Sequence, residues 1–227
     1  MISVLKPQRM LHLRLLQVVF SVVFFGFGPL ALATEGASAC FDFSKKVADP
    51  LRTAPAWKSD RREDVSGRGK VTRHEPGKPK SGYVWGQARG VVRKPIRELL
   101  NLLLDHNTTK SSKIREINFS KSSDENYFAR HVITFEVTAL IFFSAEWTEE
   151  WGYAITRGSG MAPERVVISY QKTAGTSHIE HLCGSIVLEM IDANTTDVYA
   201  YEEVNANQRN DEDTESGLVG TLLTLRK

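Results

Sequence analysis

Cysteine is scarce: Cys40 and Cys183 are the two in 227 residues. That excludes a small disulfide-dense scaffold and a Cys-rich zinc module. No H-E-x-x-H string occurs, so the commonest helical zinc signature is missing as well. Gly67-Arg68-Gly69-Lys70 has the wrong spacing for a P-loop or a dinucleotide fingerprint. Ser159, Ser169 and Ser185 lack a nucleophile-elbow context. The sequence therefore assigns no catalytic residue, and it predicts no metal and no cofactor. An excess of one charge is also lacking, with 29 basic against 27 acidic residues, so nothing in the composition points to nucleic acid. No internal repeat is evident.

One long uncharged apolar run exists, and it lies at the start. Lys6, Arg9 and Arg14 precede a largely apolar stretch from Leu15 to Ala33. Gly26, Gly28 and Pro29 break it near its end, and Ala31-Leu32-Ala33 has the small-x-small pattern of a signal-peptidase site. Residues 1–33 thus read as an export signal, placing the protein in the periplasm or outside the cell. An uncleaved anchor and lipidation at Cys40 are the other readings. The helix breakers disfavour the first, and Glu35 and Gly36 before the cysteine disfavour the second.

Residues 34–81 read as a basic N-terminal arm, mostly loop, with Pro50, Pro55, Pro76 and Pro79 and no sustained apolar period. Phe41, Phe43 and Trp57 are its docking candidates. Lys45 to Lys80 is predominantly basic, whereas Ser81 to Lys227 is predominantly acidic. Such an arm is either a solvated linker or a contact for anionic lipid headgroups. Cys40 and Cys183 either bridge arm to domain or remain thiols; their spacing does not decide.

From residue 82 to 227 the pattern is that of one domain. Tyr83 to Val92 is a strand, and Pro95 opens a helix in which Ile96, Leu99, Leu100, Leu103 and Leu104 recur at helical spacing. Six strands follow: Ile114 to Phe119, Tyr127 to Val137, Trp147 to Thr156, Arg165 to Lys172, Ile179 to Ile191 and Thr196 to Asn207. Thr138 to Glu146 is expected to turn the chain. Asp211, Glu212 and Asp213 gather where negative charge favours a helix start, and Leu218, Val219, Leu222, Leu223 and Leu225 supply an apolar face.

With this order the chain resembles the START and polyketide-cyclase (SRPBCC) superfamily, which includes the birch-pollen allergens. Gly90-Val91-Val92-Arg93-Lys94-Pro95-Ile96 looks like that family's passage from first strand to first helix, and Leu104-Asp105 like the end of that helix. Phe142-Phe143-Ser144-Ala145-Glu146-Trp147 resembles its turn into a middle strand. Tyr199 to Ala206 and the leucine-bearing terminal helix resemble its last strand and gripping helix. The likeness spans Tyr83 to Arg226. It implies an α+β helix-grip fold, a curved antiparallel sheet of about seven strands wrapped around a C-terminal helix. A closed lipocalin-like barrel is the competing architecture; its Gly-x-Trp start is poorly copied by Gly82 and Trp85.

The most distinctive string is Glu146-Trp147-Thr148-Glu149-Glu150-Trp151-Gly152-Tyr153. On a strand, Trp147, Glu149, Trp151 and Tyr153 share a face. An acid among aromatics either sits desolvated in a pocket or lies near an exposed strand end. His178, Glu180 and His181 do not converge on a regular strand, because His181 points away from the other two. On the last strand, Val198, Ala200, Glu202 and Val204 suit the side under the terminal helix, and Tyr199, Tyr201 and Glu203 the opposite side. A one-residue slip would exchange the sets.

What the resemblance implies is binding of a hydrophobic, lipid-like molecule between sheet and terminal helix, for transfer, sequestration or sensing. Trp147, Glu149, Trp151, Tyr153, His181, Leu218 and Leu222 are the expected ligand-binding residues. The alternatives are a cavity enzyme of the cyclase or hydrolase type, with Glu149, Tyr153 and His181 as its polar groups, or a ligand-free interaction module using the arm.

Overall fold

The computed structural model describes residues 40–45, 64–73, 81–105, 114–140, 143–206 and 210–227. The expected signal segment and Trp57 lie outside them. Among the described residues, eight strands form one antiparallel sheet: β1 (Val65–Arg73), β2 (Ser81–Val92), β3 (Ile114–Ser122), β4 (Ala129–Leu140), β5 (Phe143–Gly158), β6 (Pro163–Gly175), β7 (Ile179–Asp192) and β8 (Thr195–Ala206). Their order across the sheet is β1-β2-β8-β7-β6-β5-β4-β3. Helices α1 (Ile96–Leu104) and α2 (Asp211–Leu225) complete the domain. The order β1…β3 is open, with β1 and β3 at its ends, which sets aside the closed-barrel alternative.

The eighth strand is β1, in a segment expected to be loop. Its sequence, Val-Ser-Gly-Arg-Gly-Lys-Val-Thr-Arg, offers no apolar alternation. It is an edge strand whose order comes from a nine-residue backbone ladder with β2, Val65 opposite Arg89 through Arg73 opposite Ser81. Arg68 Nη1 also donates to Glu215 Oε2 of α2 at 3.0 Å. The expected turn at Thr138 to Glu146 is tighter than the sequence suggested: β4 continues to Leu140 and β5 begins at Phe143.

Both helices lie on one face of the sheet, where a single apolar core runs from Ala88 and Val92 through Ile186 and Leu188 to Ile133 and Phe135. α1 contributes Ile96, Leu99, Leu100 and Leu103, the spacing that turns one helical stripe toward the sheet. α2 begins at Asn210, whose side chain accepts from the Asp213 backbone N–H at 2.7 Å. Its buried stripe mixes Leu218, Leu222 and Leu225 with Thr214, Thr221 and Thr224. Those threonine hydroxyls donate to carbonyls one turn earlier, at 3.0, 3.2 and 2.9 Å, so they enter the core already satisfied. α2 lies against β2, β8 and β1. The approach is closest at Gly86, where an added Cβ would stand 2.6 Å from the Glu215 backbone nitrogen. Only glycine admits a helix backbone that near.

The opposite face is covered in part by residues 40–45. Phe43 is buried with Tyr127 and Ala154, and Phe41 packs beside Val167, Val187, Tyr199 and Tyr201. Gln171 clamps this segment: its Oε1 accepts from the backbone N–H groups of Cys40 and Phe41 at 2.8 and 2.9 Å, and its Nε2 donates to Phe41 O at 2.9 Å. A Cys40–Cys183 disulfide joins the same segment to β7, Cα to Cα 6.3 Å.

Candidate functional site

The helix-covered face of β5 carries Trp147, Glu149, Trp151 and Tyr153 at every second position, and all four are buried. Glu149 is 2% exposed, so it does not lie at an open strand end. Both of its oxygens are engaged. Oε1 accepts from Trp147 Nε1 at 2.8 Å and Oε2 from Trp151 Nε1 at 2.9 Å. The strand's two-residue repeat places one indole on each side of the acid. Burial raises the Glu149 pKa and dominates the two indole bonds, which lower it; the nearby Glu202 carboxylate raises it further. The result is a carboxyl pushed up to about 7.

A second acid belongs to the same face. Trp151 pairs with Tyr170 of β6, Tyr170 with Gly184 of β7, and Gly184 with Glu202 of β8. The rings of Trp151 and Tyr170 stack at 4.2 Å. Tyr170 then extends over Gly184, where an added Cβ would meet its Cζ at 1.9 Å, and its hydroxyl donates to Glu202 Oε2 at 3.0 Å. Glycine at 184 is what lets a tyrosine two strands away reach that carboxylate. Lys172, opposite Glu149 in register, is largely buried, and desolvation lowers its pKa.

Tyr153 turns toward the other helix. Its hydroxyl donates to Leu103 O of α1 at 3.0 Å and lies 3.4 Å from His131 Nδ1, and burial raises its pKa. Leu218 and Leu222 are buried in the same core but on the flank over β2 and β8, where α2 lies. His181 does not join these residues. Leu182 belongs to the helix-side core, so strand alternation puts the His181 imidazole on the opposite face with Cys183, beside Cys40 and Glu203, while the extra residue in β7 between Ile179 and His181 returns Ile179 to the helix-side core. Glu180, the residue before His181, accepts from Asn205 Nδ2 at 2.6 Å.

Glu202 faces the helix side, one of the two facings that the sequence left open, and sequence reasoning did not place it in the site. It also missed Tyr170, Gly184 and Lys172. Their signal is a register, and a single chain's alternation does not say which residues of β6 and β7 face which of β5 and β8. Among the described residues, no helix is long and apolar enough to cross a membrane.

No protein-family model matches the chain, and no curated protein matches it. Solved structures do. Human StAR-related lipid transfer protein 5 is 9% identical with a TM-score of 0.47, covering 77% of this chain and 86% of that one. The Zhui aromatase/cyclase from Streptomyces sp. R1128 is 13% identical at 0.44, covering 63% and 92%. A STAR-related lipid transfer protein fragment from Xanthomonas axonopodis is 14% identical at 0.43, covering 72% and 94%. At these identities and scores the likeness is one of outline. In that outline the chain is similar to START lipid-transfer domains and polyketide aromatase/cyclases, the grouping its sequence resembles.

Proposed function

We propose that this protein is an exported binding protein that holds a mainly apolar ligand bearing one polar group against the helix-covered face of its sheet. The observation that carries the reading is Glu149. A sheet that needed only a core would fill this position with an apolar residue, because a buried carboxyl costs several kcal/mol when ionised, roughly. Here the acid is instead framed by two tryptophans and set beside the Tyr170–Glu202 pair. Aromatic walls with a few oriented polar groups are the usual make-up of a small-molecule site. Trp147, Trp151, Leu218 and Leu222 would contact the apolar body, and Glu149 a hydroxyl, carbonyl or amine at its end. Residues 1–33 would direct export, which the Cys40–Cys183 disulfide supports because such bonds persist in oxidising compartments. The basic residues between 45 and 80 would add a contact with anionic headgroups; its mark would be binding to anionic vesicles that high salt abolishes.

The test is native mass spectrometry of chain exported and purified without detergent, followed by organic extraction. A reproducible extra mass, lost on extraction and reduced in the Glu149→Gln protein, is expected. A clean apo mass that stays unchanged after incubation with a mixed lipid extract overturns the reading.

A carboxyl near pH 7 also favours a second reading, in which Glu149 exchanges a proton with the bound molecule and the site is an enzyme of the cyclase or hydrolase type. Turnover of an extracted ligand by the native protein and not by Glu149→Gln would establish it. Equal turnover by both would dismiss it.

A further inference from the structure

The face of the sheet turned away from α1 and α2 holds a second cluster, independent of the ligand reading. Cys40, His181, Cys183 and Glu203 each bring one donor atom into a group in which all lie within 4.8 Å of one another. Cys40 Sγ is 3.8 Å from His181 Nε2 and 4.0 Å from Glu203 Oε1, and His181 Nε2 is 2.9 Å from that same oxygen. A four-coordinate zinc ion with bonds of about 2.3 Å to sulfur and about 2.0 Å to nitrogen or oxygen has ligand-to-ligand edges of roughly 3.3–3.8 Å. The three distances bracket that range. The two sulfurs, joined covalently, must part for such a site to form.

The donors are held from outside the cluster. Glu203 is buried, and its Oε2 accepts from the Tyr201 hydroxyl at 3.1 Å, leaving Oε1 turned to the histidine. The His181 ring lies beside Tyr83, centroids 5.6 Å apart. Cys40 is fixed by the Gln171 clamp and by the burial of Phe43 as well as by its bond to Cys183. Opening that bond therefore leaves Cys40 beside Cys183. Supporting hydrogen bonds of this kind orient ligands in metal sites generally.

We propose that reduction of the Cys40–Cys183 disulfide creates a four-coordinate site for zinc, or another borderline divalent transition metal, made of two thiolates, the His181 imidazole and the Glu203 carboxylate. A dithiol reductant supplies the two electrons that break the sulfur–sulfur bond and leaves as its own disulfide, and each cysteine takes up a proton. On metal binding both thiols release their protons to water, while His181 binds in its neutral form. The N-terminal segment stays tied to β7 in both states, by a covalent bond in one and by the metal in the other. This departs from the expectation, read from sequence motifs, that the chain binds no metal.

Cobalt(II) titration of the purified chain, reduced with a phosphine under anaerobic, metal-free conditions, tests the proposal. One cobalt per chain is expected, with a thiolate-to-metal charge-transfer band and the strong visible absorption of tetrahedral cobalt, both bleached by zinc. The oxidised chain should show neither. His181→Ala and Glu203→Gln keep both cysteines and should each weaken cobalt binding about tenfold or more. A reduced native chain without the charge-transfer band overturns the proposal. So does a band whose cobalt affinity is unchanged in both variants. The comparison of oxidised with reduced native protein remains decisive even where a variant fails to fold.

Discussion

Trp151 and Tyr170 lie stacked across β5 and β6, their ring centroids 4.2 Å apart and their planes inclined by 14°. The stack aims two donors at two acids: the indole N–H of Trp151 toward Glu149 and the phenol of Tyr170 toward Glu202. Two carboxylic side chains are thus held in the core by aromatic residues.

Glu149 makes stability depend on pH in a definite direction. Its folded-state pKa, about 7, is above its ordinary 4.5, so between these values the folded state holds more protons than the unfolded chain. Stability from this group therefore falls as pH rises from 4.5 to 7, by about 3 kcal/mol in all, and is level outside that window. Glu149→Gln should flatten the slope. Urea midpoints for both proteins at several pH values between 4 and 8 check this; parallel curves would refute it.

Gly184→Ala should expel the Tyr170 ring from its place over β7. The loss of the bond to Glu202 and of the stack on Trp151 is expected to cost about 1–3 kcal/mol. Tryptophan fluorescence should change with it, because Trp151 loses its stacking partner. Unchanged stability and emission would show that Tyr170 has another way past the added methyl.

Gly86→Ala tests how α2 is held. The new Cβ meets helix backbone at 2.6–2.9 Å, which cannot rotate aside. A loss of about 1–3 kcal/mol is expected. Faster amide exchange should appear in α2 and not in β4 or β5.

Tyr153→Phe removes a buried donor from Leu103 O at the C-terminal end of α1. About 1 kcal/mol of stability should be lost, measured by denaturant unfolding, with no change in the Glu149-dependent pH slope.

Opening the disulfide in the presence of a chelator isolates its own contribution. It links residues 143 apart in sequence, and such cross-links stabilise by about 2–4 kcal/mol. A matching drop in the urea midpoint is expected. Addition of zinc to the reduced chain should recover part of it.

Sequence by itself determined the run of elements from Tyr83 onward, because apolar periodicity and turn residues are local properties. It also determined that Trp147, Glu149, Trp151 and Tyr153 share a face, since alternation within one strand needs no partner. It did not determine β1, a polar edge strand ordered by backbone bonds to β2. Nor did it determine that Glu149 is enclosed, that Tyr170 reaches Glu202 over Gly184, or that Cys40 meets Cys183. Those depend on the register between strands and on which face of β7 the helices cover, which put His181, a residue expected beside the ligand, on the opposite face. Register is decided by how whole faces fit together, a relation between distant segments that no local pattern encodes.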